Sequence, residues 1–314
     1  MTFYTLQILR FIASLLVLLF HLNLIYSGYK GVDIFFVISG FVMYYTLFHR
    51  PRPTALKYLV NRCSKIFFLY WVALIVLYLV LPFKLDSSFL KTFLLIPGHD
   101  SVIGVSWSLS YELYFYFLIG IVVYLMPGKY QNFIFSLLFT LSSVITIINL
   151  TPLTFKGTFI NFLLGPNFWE FLLGIASALL SIYQHKKIRP DIALLAASLG
   201  FLLLIVVAIP YSNVFSHVVY GPLSFLTVSF FAIYEEEISI TKKVSNFSML
   251  LGDASYAIYL FGPIFTLLVT PDSCFLKWIV VFSTICFSVV FNRLVERRFL
   301  TWSRKMIYNK KECA

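Results

Sequence analysis

Ten stretches of about twenty mostly apolar residues follow one another along this chain, joined by short links. Lipid offers no hydrogen-bond partner to a bare backbone, so a chain crossing it must pair its own N–H and C=O groups, as helices do. The stretches lie near residues 4–26, 31–49, 66–83, 106–126, 131–150, 159–182, 191–210, 214–234, 248–270 and 274–294. Nothing of domain size remains between them. The reading is an all-α, polytopic integral membrane protein of about ten transmembrane helices, one domain over residues 1–314 with no separate soluble domain. Hydrophobic residues make up 60% of the chain and charged ones 12%, where soluble domains average about 25% charged. That composition excludes a cytosolic enzyme, a disordered chain and a disulfide-rich secreted module. The first stretch carries Arg10 in its body with no basic segment before it, so it reads as a retained span, not a signal peptide.

The net charge of +11 does not point to nucleic acid, because the polar scaffold that would display a basic surface is missing. It has a simpler source in the excess of Lys and Arg in cytoplasmic loops. The link between spans two and three holds Arg50, Arg52, Lys57, Arg62 and Lys65. The same side collects Lys129, then Lys186, Lys187 and Arg189, then Lys242 and Lys243, and the tail from Arg297 to Lys311. That is seventeen cations, against five (Lys30, Lys84, Lys91, Lys156 and Lys277) on the other side. The bias puts both termini in the cytoplasm. Glu235, Glu236 and Glu237 then form an acidic run on a cytoplasmic link, read as a solvated face. Cys63, Cys274, Cys286 and Cys313 show neither metal-ligand spacing nor a pairing pattern, and no metal site is expected.

Ionisable residues at membrane depth are costly and mark function by default. Arg10 and His21 are eleven residues apart in the first span. Eleven steps of about 100° overshoot three turns by only about 20°, so both side chains share a face, roughly 16 Å apart along the axis. Glu112, in "SWSLSYELYFYF", enters the fourth span at a depth comparable to His21, where a carboxylate orients an imidazole and raises its basicity. Glu170, in "NFWEFLLG", lies deeper and needs a partner. Lys30 and Asp33 stand one turn apart and read as a pair. His99 and Asp100 read as a solvated loop pair; His49, His185 and His217 read as structural. Arg62 and Lys65 suit phosphates but equally suit anionic headgroups.

Together these segments resemble membrane acyltransferase family 3, the integral-membrane O-acyltransferases of bacterial surface polysaccharides. The likeness begins with "LQILRFIASLLVLLFHL" and continues through "GVDIFFVISGFVMYY", "VNRCSKIFFLYW", "SWSLSYELYFYF", "FWEFLLGIASA" and "LGDASYAIYL", in family order from residue 6 to about 260. The exopolysaccharide acetyltransferases are the most similar in phrase. Two departures stand out: Lys65-Ile66-Phe67-Phe68 replaces the usual Arg-Ile-x-Pro, and Gly262 stands where the family often has a second histidine.

The resemblance implies acyl transfer from cytosolic acyl-CoA, acetyl-CoA first among them, to a sugar hydroxyl of a cell-surface polysaccharide or lipid-linked oligosaccharide. It places the chain in the bacterial inner membrane among membrane lipids and polysaccharide assembly proteins. His21 matches the family's catalytic histidine, Arg10 its partner arginine, Glu112 the acid of the "SWSL" motif and Arg62 the basic position before the third span. In this scheme Arg10, Arg62 and Lys65 neutralise the CoA phosphates. His21 serves as general base and Glu112 holds its tautomer. Ser106, Trp107 and Ser108 contact the oxyanion or the acceptor, with Asp33 and Glu170 as further candidates for substrate contact. The competing reading is a flippase of lipid-linked glycan that uses the same ionisable residues as a proton or substrate path.

Overall fold

The computed structural model describes residues 3–309 apart from 49–52, 81–88, 98–101, 152–154, 156, 185–186, 208, 210–214, 238–240 and 270–272. His49, Arg50, Arg52, Lys84, His99, Asp100, Lys156, His185, Lys186, Lys310, Lys311 and Cys313 lie outside the described residues. The chain runs through α1 (Tyr4–His21), a 3-10 turn (Tyr26–Lys30), α2 (Gly31–Phe48), α3 (Ala55–Val80), α4 (Phe89–Phe93), α5 (Trp107–Leu125) and α6 (Gly128–Ile148). It continues through α7 (Phe159–Leu164), α8 (Pro166–Gln184), α9 (Pro190–Val206), α10 (Phe215–Glu237), α11 (Lys242–Val269) and α12 (Cys274–Phe291). A π turn (Asn292–Glu296) then leads into α13 (Arg297–Asn309). Among the described residues nine helical segments are long and apolar enough to cross a membrane, and α9 is a shorter apolar helix. These segments coincide with the ten apolar stretches. One boundary moves: α3 starts at Ala55, not near residue 66. A hydropathy window stops at Arg62 and Lys65, whereas both residue types are good helix formers, so the helix continues through them.

Packing between spans relies on small residues that let backbones touch, as expected where lipid supplies no hydrophobic drive for helix association. α2 lies across α8 with Gly40 and Gly174 face to face. A Cβ on Gly40 would stand 2.0 Å from the Phe171 carbonyl oxygen, and one on Gly174 2.0 Å from that of Val37. α1 packs along α11 in the same manner, where a Cβ on Gly252 would meet the Gln7 side chain at 2.5 Å. Gly262 sits on this seam against Leu18, which gives its small size a packing reason. Phe115 of α5 is fully buried among Phe36 of α2 and Phe168 and Phe171 of α8, at ring separations of 5.6, 5.5 and 4.4 Å. Such offset and edge contacts add specific geometry to apolar burial, and they fix α5 against the α2–α8 pair.

Two buried charges close helix ends. The Lys30 ammonium donates to the carbonyls of Leu204 at 2.7 Å, Ile205 at 3.4 Å and Val207, the end of α9. Glu235 accepts from the backbone N–H groups of Tyr4 and of Thr5 (2.7 Å) and from the Thr5 hydroxyl, the start of α1. Orphan carbonyls end every helix and orphan N–H groups begin it, and the macrodipole favours this placement of cation and anion. Both residues therefore depart from the sequence reading. Lys30 attracts Asp33 through space but gives its hydrogen bonds to α9. Glu235 is only 4% exposed, a cap and not a solvated face. The side chains of Glu236 and Glu237 lie outside the described residues.

Asp33 finds its partner on α10 instead. His217 Nδ1 lies 2.7 Å from Glu170 Oε1 and 3.4 Å from Asp33 Oδ1. This cluster joins α2, α8 and α10, and Glu170 within it is fully buried. The sequence reading treated His217 as an isolated structural residue and left Glu170 without a partner. Three helices far apart in sequence supply the group, so no local spacing announces it. The three ligand atoms lie within 4.8 Å of one another, a separation compatible with a metal ion, which the sequence reading did not foresee. The imidazole already stands between the two carboxylates and, protonated, supplies the positive charge itself.

Removing one member of a buried charged group costs about 3–5 kcal/mol, because the others are left unpaired. His217→Ala is expected to lose stability of that order in a detergent unfolding assay; a midpoint like wild type would show that the cluster does not hold these helices. Gly40→Leu should fail for a different reason, since its side chain meets backbone. The expected loss, at the 1–3 kcal/mol scale of roughly one overpacked core site or above, is read by thermal melting. Gly128→Ala, where a Cβ meets nothing within 4 Å, serves as the control that should melt like wild type.

Candidate active site

Between α1, α2, α3, α5 and α11 lies a cavity of about 80 Å³. Its charged lining is Arg10 from α1, Arg62 and Lys65 from α3, and Glu112 from α5. The apolar lining includes Val32, Phe35 and Phe36 of α2, while Ser39, Ser108, Tyr116, Tyr256 and Tyr259 supply hydroxyls. Three cations against one carboxylate make the cavity electropositive. Asp253 and Glu296 lie behind Lys65, within Coulombic reach of it together with Arg10 and Glu112. They are themselves held in place: Arg297 donates to Asp253 at 2.6 Å, and Asn292 donates to Glu296 at 2.7 Å.

Glu112 is oriented by its own helix. The Tyr116 hydroxyl, one turn on, donates to it, and the Ser39 hydroxyl donates at 3.4 Å. The Arg62 guanidinium stands over the Tyr116 ring, 5.2 Å from its centroid, a cation–π arrangement. On the far wall the Ser108 and Tyr259 hydroxyls are 2.8 Å apart, and the Tyr259 hydroxyl also donates to the Val105 carbonyl at 3.1 Å. The Tyr256 hydroxyl is buried and has no hydrogen-bond partner among the described residues. Such a group costs free energy until a ligand or water meets it.

The fold therefore gathers Arg10, Arg62, Lys65 and Glu112 and leaves His21 apart. His21 is half-buried at the end of α1, beside the Phe20 ring, and does not line the cavity. No hydrogen bond or ion pair joins it to Glu112 among the described residues, so the expected orienting carboxylate is not Glu112. A shared helical face set the direction of Arg10 and His21 but not the neighbours each would meet. Of the proposed oxyanion donors, the N–H groups of Ser106 and Ser108 are engaged by the carbonyls of Ile103 and Val105, at 2.8 and 3.4 Å. Asp33 and Glu170 belong to the α2–α8–α10 cluster, not to this cavity. Ser39, Tyr116, Tyr256 and Tyr259 escaped the sequence reading. The spacing of Tyr256 and Tyr259 in "SYAIYL" was a usable signal, since residues three apart share a helix face.

The comparisons with known proteins agree with this architecture. The family described as an acyltransferase domain matches residues 3–294. The exopolysaccharide production protein ExoZ of Rhizobium meliloti (strain 1021) is 28% identical over 253 residues, covering 74% of this chain and 75% of that protein. No solved structure matches significantly. A family match over nearly the whole described bundle sets acyl transfer above the flippase alternative, and the apolar helices set its place in a bilayer. The chain belongs to acyltransferase family 3 and is a multi-pass membrane acyltransferase.

Proposed function

We propose that this acyltransferase takes an acyl group, acetyl first, from cytosolic acyl-CoA. It transfers the group to a hydroxyl of a surface polysaccharide or lipid-linked oligosaccharide at the bacterial inner membrane. The observation that carries the donor assignment is the cavity in which Arg10, Arg62 and Lys65 converge. CoA brings several phosphate charges, which clustered guanidinium and ammonium groups neutralise at short range. Its pantetheine arm is long, thin and only partly polar, which suits a passage walled by phenylalanines and tyrosines. The cytoplasmic placement of the cations follows from the Lys and Arg bias, and the glycan acceptor is supported by the relative's role in exopolysaccharide production.

His21 is the proposed general base. It makes no hydrogen bond or ion pair among the described residues, whereas the His217 imidazole is committed to two carboxylates. In this mechanism the arm extends past Tyr259 until the thioester reaches the end of α1. His21 removes the proton from the acceptor hydroxyl as its oxygen bonds to the acyl carbon. The C–S bond breaks in turn, and CoA leaves as a thiolate that regains a proton. Glu112, fixed by Tyr116 and Ser39, offsets the cation cluster beside the arm and does not touch the imidazole.

His21→Ala should lower transfer of labelled acetyl from acetyl-CoA to membrane glycan by about 10²–10⁴-fold, with the protein inserted at wild-type level. Normal glycan labelling would remove His21 from the reaction. Arg62→Ala should act elsewhere, weakening CoA binding by roughly 10–100-fold, the equivalent of one or two charge-assisted contacts. An unchanged CoA affinity would mean that Arg62 serves only Tyr116 and the membrane surface.

A further inference from the structure

α5 has two working faces. Ser108, Leu109, Glu112 and Tyr116 look into the charged cavity. Ser106, Trp107, Ser110 and Tyr111, at the start of the same helix, line a second cavity of about 520 Å³ on its other side. The two sets interleave with helical periodicity, so the first turns of α5 form the partition between two chambers. The second chamber is closed by Tyr70 of α3, by the segment that follows α4 and by the start of α7.

Among the described residues its lining is neither charged nor simply apolar. Aromatic rings form one wall: Tyr111 lies 4.5 Å from Phe162 and 5.9 Å from Trp107 between ring centroids. Polar groups of intermediate strength accompany them: Ser106, Ser110, Thr158 and Asn161. The Ser106 hydroxyl is fully buried beside the Tyr70 phenol and makes no hydrogen bond of good geometry among the described residues. Neither the Trp107 indole N–H nor the Ser110 hydroxyl has a hydrogen-bond partner among the described residues. A neighbouring groove between α3 and α4 makes the contrast plain: Trp71, Leu74, Ile75, Tyr78, Leu79, Phe89 and Phe93 line it, without a charged side chain or an aliphatic hydroxyl. A lipid tail suits that groove; it has no use for the hydroxyls and the amide of the second chamber.

We infer that the second cavity is the acceptor site and binds a pyranose ring. A sugar ring offers an apolar C–H face, which stacks on indole and phenol rings, and a rim of hydroxyls that both donate and accept. The available indole N–H, the serine hydroxyls and the Asn161 side-chain NH2, whose carbonyl oxygen is held by Asn149, match that rim, and the concave, mostly apolar lining with few polar groups is that of a small-molecule site. Among the described residues its lining holds no carboxylate or ammonium group that would select an ionic ligand. This inference rests on the acyl-transfer reading above, and gives the motif "SWSLSYE" a purpose. One face of the helix orders the donor cavity, and the other presents the acceptor.

The test uses the full chain in nanodiscs with two probes, an alkali-deacylated oligosaccharide of the host's exopolysaccharide and the same repeat on a polyprenyl diphosphate. Saturation-transfer NMR reads sugar binding without CoA, and calorimetry reads CoA binding without sugar. Wild type should show transfer to ring protons of at least one probe. Preference for the second would identify a lipid-linked acceptor; preference for the first, the free polymer. Trp107→Ala should abolish that signal or raise the acceptor KM at least tenfold, with CoA affinity unchanged and Trp107→Phe restoring most of the binding. No sugar signal with either probe overturns the inference, as does an unchanged acceptor KM in Trp107→Ala or a joint loss of sugar and CoA binding that Trp107→Phe does not rescue. Sugar binding in a protein that does not bind CoA would instead count against the donor assignment and leave the acceptor cavity standing.

Discussion

A charge placed inside hydrocarbon has to find a counter-charge or a set of oriented dipoles, and this bundle is organised by that requirement. Lys30 meets the carbonyl end of α9, Glu235 meets the N–H end of α1, and His217 lies between Asp33 and Glu170. Each solution joins segments remote in sequence, so satisfying the charge also fixes the helices. The close contacts at Gly40 and Gly174 then determine how near α2 and α8 can come. With those joints set, one electropositive space is left among α1, α2, α3, α5 and α11, and its cations are the ones the joints do not use.

The positions of the spans were legible in the sequence because hydropathy is a local property. Ten apolar stretches became ten helical segments, with the largest displacement at the start of α3, where the helix runs back through Lys65 and Arg62 to Ala55. The partners were not legible, because a partner is a property of the assembled bundle. Lys30 and Asp33, three residues apart, looked like a pair. The deeper requirement of an uncapped α9 drew the lysine away, and His217, more than 180 residues on, took the aspartate. Glu235 was mistaken for solvated surface because an acidic run at a helix end has the same composition in either role. Among the site residues, Arg10, Arg62, Lys65 and Glu112 do come together. The tyrosines that complete the cavity were hidden by number, since 20 tyrosines in one chain leave no single one conspicuous.

The separation of His21 from Glu112 bears on how such an enzyme divides its labour. Both hydrogen bonds to this carboxylate, from Tyr116 and Ser39, end on Glu112 Oε1, and among the described residues none joins it to the His21 imidazole. The carboxylate sits instead where three cations would repel one another, and a fixed anion there lowers the cost of assembling them in a medium of low dielectric. In the proposed mechanism the base, His21, has no hydrogen-bonded carboxylate among the described residues, and electrostatic work and proton transfer are carried by different ends of the bundle.

A membrane enzyme whose donor and acceptor differ this much in polarity gains from keeping them in separate chambers. CoA is polyanionic; a sugar is neutral and rimmed with hydroxyls. One pocket that satisfied both would place unpaired cations against sugar hydroxyls, or leave phosphates against aromatic walls. On the proposed assignment, dividing the site along α5 avoids that conflict, because a single helix shows each ligand its own face. On that same assignment the residues in the first turns of α5 act on selectivity, while the proposed base and thioester supply the intrinsic chemistry.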